Sequence, residues 1–157
     1  MRTNKDRYFL DIAKRCAMQG TCLRRCFGAV IVDEHDTIIS TGYNGAPRGI
    51  SHCKTCWREE NNIPSGTNYE KCRSVHAEQN AIIQAGKKAR NSTMYLVGID
   101  RKTELEICVP PCYLCAKMIL NAEIKSVVMR KNGSLVSLSP QVAYRDREFD
   151  AFDTHFE

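Results

Sequence analysis

The 157-residue sequence has no long hydrophobic run. Its longest apolar stretch covers residues 28–32, whereas a membrane-spanning helix needs about 20 apolar residues. The first eleven residues are mainly polar and charged, and they lack the apolar stretch of a signal peptide. These absences predict a cytoplasmic protein that has no membrane span.

The sequence also lacks internal repeats, low-complexity tracts and a dense block of basic residues. The net charge of +5 and the pI near 8.7 come from Lys and Arg side chains dispersed along the chain. This mild positive excess suits a phosphorylated substrate and does not require a nucleic-acid partner, so we expect none. A hydrophobic content of 43% and a charged content of 26% predict a single globular domain over residues 1–157.

Cysteine, in contrast, is abundant, with nine residues in a chain that shows no secretory signal. Cytosolic thiols are kept reduced, so a disulfide framework is the weaker explanation. Metal binding is favoured where cysteines lie three apart or close to a histidine. The odd number also leaves at least one cysteine outside any complete pairing.

Hydrophobic periodicity predicts an α/β domain with helices on both faces of a mixed sheet. Residues 100–106 fit a loop or a hairpin excursion, and residues 141–157 fit either a last helix or a partner-binding tail. Helices are predicted over residues 6–19, 76–88 and 112–121, and strands over residues 27–32, 37–43, 93–99, 124–130 and 135–138.

Two short segments carry the residues suited to catalysis. His76-Ala77-Glu78 is followed about 35 residues later by Pro111-Cys112-Tyr113-Leu114-Cys115, and each segment opens a predicted helix. One imidazole and two thiolates are the protein ligands of a catalytic zinc, which keeps a fourth position for water. Glu78 is not needed as a ligand and is close enough to His76 to transfer protons at the same site.

The spacing of these residues constrains their local structure. His76 and Glu78 can share a site only if His76 caps its helix, because residues two apart within a helix point to different faces. Cys112 and Cys115 share a face, and a helix N-terminus favours their thiolates. Zinc bound there would lower the pKa of its water, and an amidine-like carbon such as C4 of cytosine is the predicted electrophile. The N–H of Ala77 is the predicted donor to the ring carbonyl of the substrate.

The segment 42–49 contains three glycines and one proline. Such a composition permits left-handed dihedrals and a close approach of the backbone to a ligand. A plain turn and a substrate-binding loop both explain it. In the second case the Asn44 side chain would hydrogen-bond a substrate hydroxyl.

Residues 51–73 have no clear period, and so long a connection is unusual in a compact domain unless it is functional or braced. Three explanations stay open: a structural zinc site, which we favour, a redox Cys-x-x-Cys pair, and simple buried thiols. The candidate ligands for a structural zinc are Cys53, Cys56 and Cys72, together with Cys22 or Cys26.

These motifs resemble the cytidine and deoxycytidylate deaminase superfamily, and specifically the deoxycytidylate (dCMP) deaminases. The pattern H-x-E followed by P-C-x-x-C is the signature of zinc-dependent nucleobase deaminases. The Gly-Tyr-Asn-Gly sequence within residues 42–49 is what separates dCMP deaminases from nucleoside and tRNA deaminases. The resemblance covers roughly residues 8–130, through residues 27–32, 42–49, 72–81 and 111–119, and leaves residues 131–157 unassigned.

The resemblance implies a three-layer α/β/α fold with a mixed sheet of about five strands, and a hydrolase that converts dCMP to dUMP and ammonia. It implies that His76, Cys112 and Cys115 bind the catalytic zinc and that Glu78 is the proton shuttle. Other cytosine substrates, namely cytidine, dCTP or a tRNA base, are the alternatives. An inactive, zinc-braced nucleic-acid-binding module is a further alternative from a different class.

The same resemblance implies further contacts and partners. Asn44, with Tyr43 beside it, would contact the substrate sugar, and the candidates for phosphate contacts are Arg24, Arg25 and Arg48. Some members carry a second, structural zinc bound by cysteines that match Cys22 and Cys53, with Cys72 where a further ligand is expected. Members are usually homo-hexamers, and many are activated by dCTP and inhibited by dTTP.

Overall fold

The computed structural model describes residues 1–145. The predicted tail therefore lies mostly outside the described residues, and only its beginning is seen, as a short helix. No helix of the described chain is both long enough and apolar enough to cross a membrane. The helices are α1 (Lys5–Ala17), α2 (Trp57–Glu60), α3 (Ala77–Ala85), α4 (Tyr113–Asn121) and α5 (Pro140–Arg145), and the strands are β1 (Arg25–Val32), β2 (Ile38–Tyr43), β3 (Thr93–Asp100), β4 (Glu106–Ile107), β5 (Ser126–Lys131) and β6 (Ser134–Leu138).

All strands belong to one mixed sheet, in which β2, β1, β3, β5 and β6 are neighbours in that order and β4 pairs with β3. The β3–β5 pair is parallel, and the other pairs are antiparallel. The five predicted strands are confirmed. The sixth, β4, arises because the Asp100 carboxylate accepts hydrogen bonds from the N–H groups of Lys102 and Thr103, which turns the chain back onto β3.

Helices cover both faces of the sheet, which confirms the three-layer architecture. On one face, Phe9, Leu10 and Ala13 of α1 pack against alternate residues of the central strands, including Val30 and Tyr95. On the other face, α3 and α4 pack against the intervening residues of the same strands. The buried residues on this second face include Ala77, Ala81 and Ala85 of α3, Ile119 of α4, and Ala29, Ile31, Met94, Leu96 and Val127 of the sheet.

The predicted helix over residues 76–88 is shorter in the structure. It ends at Ala85 because Gly86 takes a positive φ of 55°, a conformation that an α-helix cannot continue through. A 3₁₀ turn, Gly86–Ala89, follows.

Helix α3 lies unusually close to β2. A β-carbon placed on Gly42 would be 2.2 Å from the carbonyl oxygen of Ala77 and 2.6 Å from the amide nitrogen of Ala81. The hydroxyl of Ser40 also donates to the carbonyl of Ala81, at 2.8 Å. The first turn of α3, which carries the predicted catalytic residues, is therefore positioned by direct backbone contact with the sheet.

We expect Gly42→Ala to lower the free energy of unfolding by roughly 1–3 kcal/mol, because the added methyl group meets backbone atoms that no rotamer change can move. Urea unfolding followed by circular dichroism measures this loss. Ser137→Thr, which adds a methyl group to an exposed strand residue, is the matched control. An unchanged unfolding midpoint for Gly42→Ala would contradict the close packing.

Candidate metal centre and active-site cavity

His76 is the N-cap residue of α3, as its spacing from Glu78 requires. Its backbone is extended, with φ −77° and ψ 156°, and its N–H donates to the Gln79 side-chain oxygen at 2.8 Å. The preceding residue, Val75, exchanges two backbone hydrogen bonds with Gly45, of 2.8 and 3.1 Å. The segment 42–49 therefore anchors the chain immediately before the histidine.

Cys112 occupies the equivalent N-cap position of α4, with φ −67° and ψ 167°. Its sulfur accepts a hydrogen bond from the N–H of Cys115 at 3.5 Å. The helix predicted over residues 112–121 begins one residue later, at Tyr113, and Pro111 comes directly before the cap residue. Pro111 is fully buried.

The two helix N-termini bring three ligand atoms together. The Nδ1 atom of His76 lies 3.4 Å from the sulfur of Cys112 and 3.4 Å from that of Cys115. Within residues 1–145, these three residues form the one group of metal-ligating side chains whose atoms all lie within 4.8 Å of one another. Tetrahedral zinc with bonds of about 2.0–2.1 Å to nitrogen and about 2.3 Å to sulfur places such atoms about 3.5 Å apart, so the residues fit zinc.

Burial and mutual hydrogen bonding perturb the acidity of these ligands. Burial lowers the pKa of His76, but its hydrogen bond with Cys112 and the nearby Glu78 outweigh this effect and raise it overall. The hydrogen bond from Cys115 holds the pKa of the Cys112 thiol well below its usual range, whereas the same bond and burial raise the pKa of Cys115. The two shifts are opposite because the sulfurs lie side by side, and a divalent cation bound there would favour the thiolate form of both.

Glu78 lies beside this cluster in the first turn of α3. Its side chain is 5% exposed, and burial raises the pKa of its carboxyl group. A carboxyl group with a raised pKa is suited to both accept and donate a proton near neutral pH. Ala77, the first residue of the helix, has an N–H without a partner inside the helix, which is the condition for donating to a ligand.

A cavity of about 180 Å³ is lined by His76, Cys112 and Glu78, whereas Cys115 lies buried behind its wall. Among the predicted substrate residues, Ala77, Asn44, Arg24 and Arg25 line it, whereas Tyr43 and Arg48 do not. Tyr43 and Arg48 are both exposed, and their substrate contacts stay predictions. Lining residues that the sequence did not indicate are Phe27, Arg58, Ser65, Gly66, Tyr69, Ser74, Val109 and Pro110.

Asn44 is buried at the wall of this cavity, with 6% of its surface exposed. Its side-chain oxygen accepts from the N–H of Phe27 at 2.8 Å, and its side-chain nitrogen donates to the carbonyl of Arg25 at 2.9 Å. The side chain therefore extends the pairing of the strands at the start of β1. An amide has two donor hydrogens and two acceptor lone pairs, so one of each stays available for the predicted sugar contact.

The cysteines proposed for a structural zinc surround a second, larger cavity of about 470 Å³. Cys22, Cys53, Cys56 and Cys72 all line it, but these four do not form a ligand cluster with the close spacing seen at His76. Cys26, the alternative to Cys22, is buried and directs its thiol to the carbonyl of Gly20 at 3.3 Å. The four cysteines thus face a common space without being at ligand distance, and the second zinc stays a prediction.

Comparison with known proteins gives several related sequences. A deoxycytidylate deaminase from Mycobacterium phage D29 is 35% identical over 135 residues, which are 83% of this chain and 97% of the phage protein. Deoxycytidylate deaminases from Schizosaccharomyces pombe and Saccharomyces cerevisiae are 33% and 34% identical over 81% and 82% of this chain. The chain spans only 37% and 38% of the lengths of these two fungal relatives.

Solved structures show the same fold. A dCMP deaminase from the cyanophage S-TIM5, in complex with dCMP and dUMP, superposes with a TM-score of 0.59 at 25% identity over 83% of each chain. A cytidine deaminase from Burkholderia pseudomallei superposes with a TM-score of 0.58 over 87% of this chain and 94% of its own, and at 15% identity it shows the fold alone.

The family model of the cytidine and deoxycytidylate deaminase zinc-binding region matches residues 3–131. This match covers most of the chain, includes all three predicted zinc ligands and agrees with the fold of the solved structures. The chain therefore belongs to the cytidine and deoxycytidylate deaminase zinc-binding family.

Proposed function

We propose that this protein catalyses the hydrolytic deamination of dCMP to dUMP and ammonia. The observation that carries the proposal is the buried Glu78 beside the His76, Cys112 and Cys115 ligands, in a cavity that is also lined by arginines. Two comparisons support dCMP in particular. The phage D29 relative named deoxycytidylate deaminase matches over nearly its whole length, and the cyanophage structure contains dCMP and dUMP.

In this proposal, His76, Cys112 and Cys115 hold the zinc, which when bound acts as a Lewis acid and lowers the pKa of water. Glu78 takes a proton from the attacking water at its carboxylate oxygen. It gives this proton to the ring nitrogen, then takes the second proton of the water from the hydroxyl now bonded to C4 of the cytosine and gives it to the departing amine, so that water is consumed and ammonia leaves. The N–H of Ala77 donates to the ring carbonyl and orients the base.

Glu78→Gln keeps the size of the side chain and removes its ability to carry a proton. We expect turnover to fall by about 10²–10⁴-fold, the contribution typical of a general acid–base residue, while zinc content is unchanged. Ammonia release and elemental analysis measure the two quantities. Gln84→Glu, at an exposed position of the same helix, is the matched control and should keep full activity. Near-normal turnover of Glu78→Gln would remove Glu78 from the mechanism.

The substrate phosphate is proposed to contact Arg24 and Arg25. Both residues lie where β1 begins, and both line the cavity that contains Glu78. A charge-assisted hydrogen bond contributes about 1.5–3 kcal/mol, and 1.4 kcal/mol corresponds to a tenfold change in an equilibrium constant. Loss of either arginine should therefore weaken dCMP binding measurably.

We expect Arg24→Gln and Arg25→Gln each to raise the KM for dCMP about tenfold or more, with a much smaller effect on deoxycytidine, which has no phosphate. A substrate panel of dCMP, deoxycytidine, cytidine, dCTP and a tRNA stem-loop gives these values. Arg90→Gln removes an exposed arginine that pairs with Glu123 at 2.7 Å and serves as the control. A preference for deoxycytidine or cytidine, or activity on the RNA alone, would refute the dCMP proposal.

A second, structural zinc is proposed at the cavity lined by Cys22, Cys53, Cys56 and Cys72. If it is present, elemental analysis should give two zinc ions per chain, and Cys56→Ser should reduce the content toward one. Cys108 is a half-buried cysteine outside this cavity, so Cys108→Ser is the control and should leave the zinc content unchanged. One zinc per wild-type chain would remove the second site.

Other expectations rest on the resemblance alone and stay proposals. These are assembly into a homo-hexamer, activation by dCTP and inhibition by dTTP. The cytoplasmic location, which was predicted from the sequence composition, also stays a proposal. The description of residues 1–157 as one deaminase domain is likewise a proposal.

A further inference from the structure

Arg58, in the short helix α2, is a buried cation, with only 6% of its surface exposed. Its guanidinium donates hydrogen bonds to the carbonyls of Pro64, at 2.7 Å, and Thr67. Within residues 1–145, no carboxylate lies within ion-pair distance of it. Burying a cation without a paired anion is costly, so the surrounding groups must stabilise it in another way.

Tyr69 provides part of that stabilisation. The central guanidinium carbon of Arg58 lies 4.5 Å from the centroid of the Tyr69 ring, which is a cation–π contact. At the other end of the ring, the Tyr69 hydroxyl accepts a hydrogen bond from the N–H of Gly66 at 3.1 Å. The ring of Tyr69 is thus fixed both by the buried arginine and by the turn that precedes it.

The Tyr69 ring is also packed against the zinc ligand His76. The two ring centroids are 4.9 Å apart, and the ring planes are perpendicular, a favourable geometry for aromatic pairs. The backbone of His76 is held by Gln79 and by the pairing of Val75, but neither contact restricts rotation of the imidazole about its own side-chain bonds. A rigid neighbour against the ring does restrict it.

We propose that Tyr69, itself held by Arg58, is a positioning residue that keeps the imidazole of His76 directed at Cys112 and Cys115. The long connection between β2 and α3 then has a role in metal retention, since its interior is built around this Arg58–Tyr69 pair. Groups that orient a metal ligand typically contribute 10–100-fold in metal affinity. The inference rests on zinc binding at His76 and not on the identity of the nucleotide.

The test measures zinc release from the holoenzyme to a chromophoric chelator in excess, in the absence of any substrate. The kinetic phase that a His76→Ala variant lacks is the one that reports this site. We expect Tyr69→Ala to release zinc about 10–100-fold faster than the wild type, whereas Tyr69→Phe, which keeps the ring, stays within about threefold. Arg58→Gln should fall between them, because it removes the support of the ring but leaves the ring itself.

Lys71→Met is the control for general loosening of the segment. Lys71 makes a cation–π contact with Trp57, at 5.7 Å, within the same connection, and it makes no ring contact with His76. The Lys71→Met variant should release zinc at the wild-type rate. Thermal unfolding shows whether every variant is folded. The visible absorption of the Co²⁺-substituted protein should also change in Tyr69→Ala and not in Lys71→Met, because it reports ligand geometry.

Two results would overturn the proposal. The first is a wild-type release rate in Tyr69→Ala; a loss of kcat/KM in the same variant would then make Tyr69 a substrate contact. The second is equal acceleration in Lys71→Met, which would mean that any disturbance of the segment has the same effect. If the dCMP proposal fails, this failure appears in the results of the substrate panel and does not affect the zinc-release rates.

Discussion

The convergence of two helix N-termini is the constraint on which the rest of the site depends. His76 and Cys112 both have the extended backbone of an N-cap, so their side chains extend past the helix ends instead of along the helix surfaces. Because α3 and α4 pack on the same face of the sheet, both caps can reach one point. The positive ends of the two helix dipoles then lie beside the sulfurs and favour their anionic forms.

This convergence needs a fixed distance between α3 and the sheet, and small residues provide it. Gly42 on β2 and the alanines along α3 allow backbone contact where larger side chains would separate the layers. Directly after the end of this strand, the Asn44 side chain continues the pairing with β1 through hydrogen bonds to the backbone of Phe27 and Arg25. The wall of the cavity is therefore hydrogen-bonded within the protein itself, and a ligand does not have to order it.

Much of this arrangement could be predicted from the sequence, because the decisive signals are local. The His-x-Glu spacing requires His76 to be a cap, and the spacing of Cys112 and Cys115 requires a shared helix face; both features are present in the structure. Helix ends were less well predicted. The helix over residues 112–121 was predicted to begin at Cys112, yet Cys112 is its cap residue, because its sulfur can accept the Cys115 N–H.

The residues that the sequence did not indicate act through contacts with distant parts of the chain. Arg58 stands in a charged run, Trp57-Arg58-Glu59-Glu60, which reads as a solvated surface, and nothing local shows that its guanidinium is buried. Tyr69 lies in a segment without periodicity, so its ring contact with His76 depends on how the whole connection folds. Periodicity cannot reveal such contacts, since they belong to irregular backbone.

The charges around the cavity bear on the choice of substrate more directly than the net charge of the chain. Among the described residues that line it, Arg24, Arg25 and Arg58 are cationic, and Glu78 is the one carboxylate. Low-dielectric walls concentrate the field of such a cluster inside a cleft, so the three arginines can act on a ligand there although the net charge of the chain is only +5. An uncharged nucleoside would gain nothing from this field, whereas a nucleotide with a phosphate on its sugar would be attracted by it. Arg58 contributes to the field even though its donors bond to backbone carbonyls, because those carbonyls leave its positive charge unneutralised.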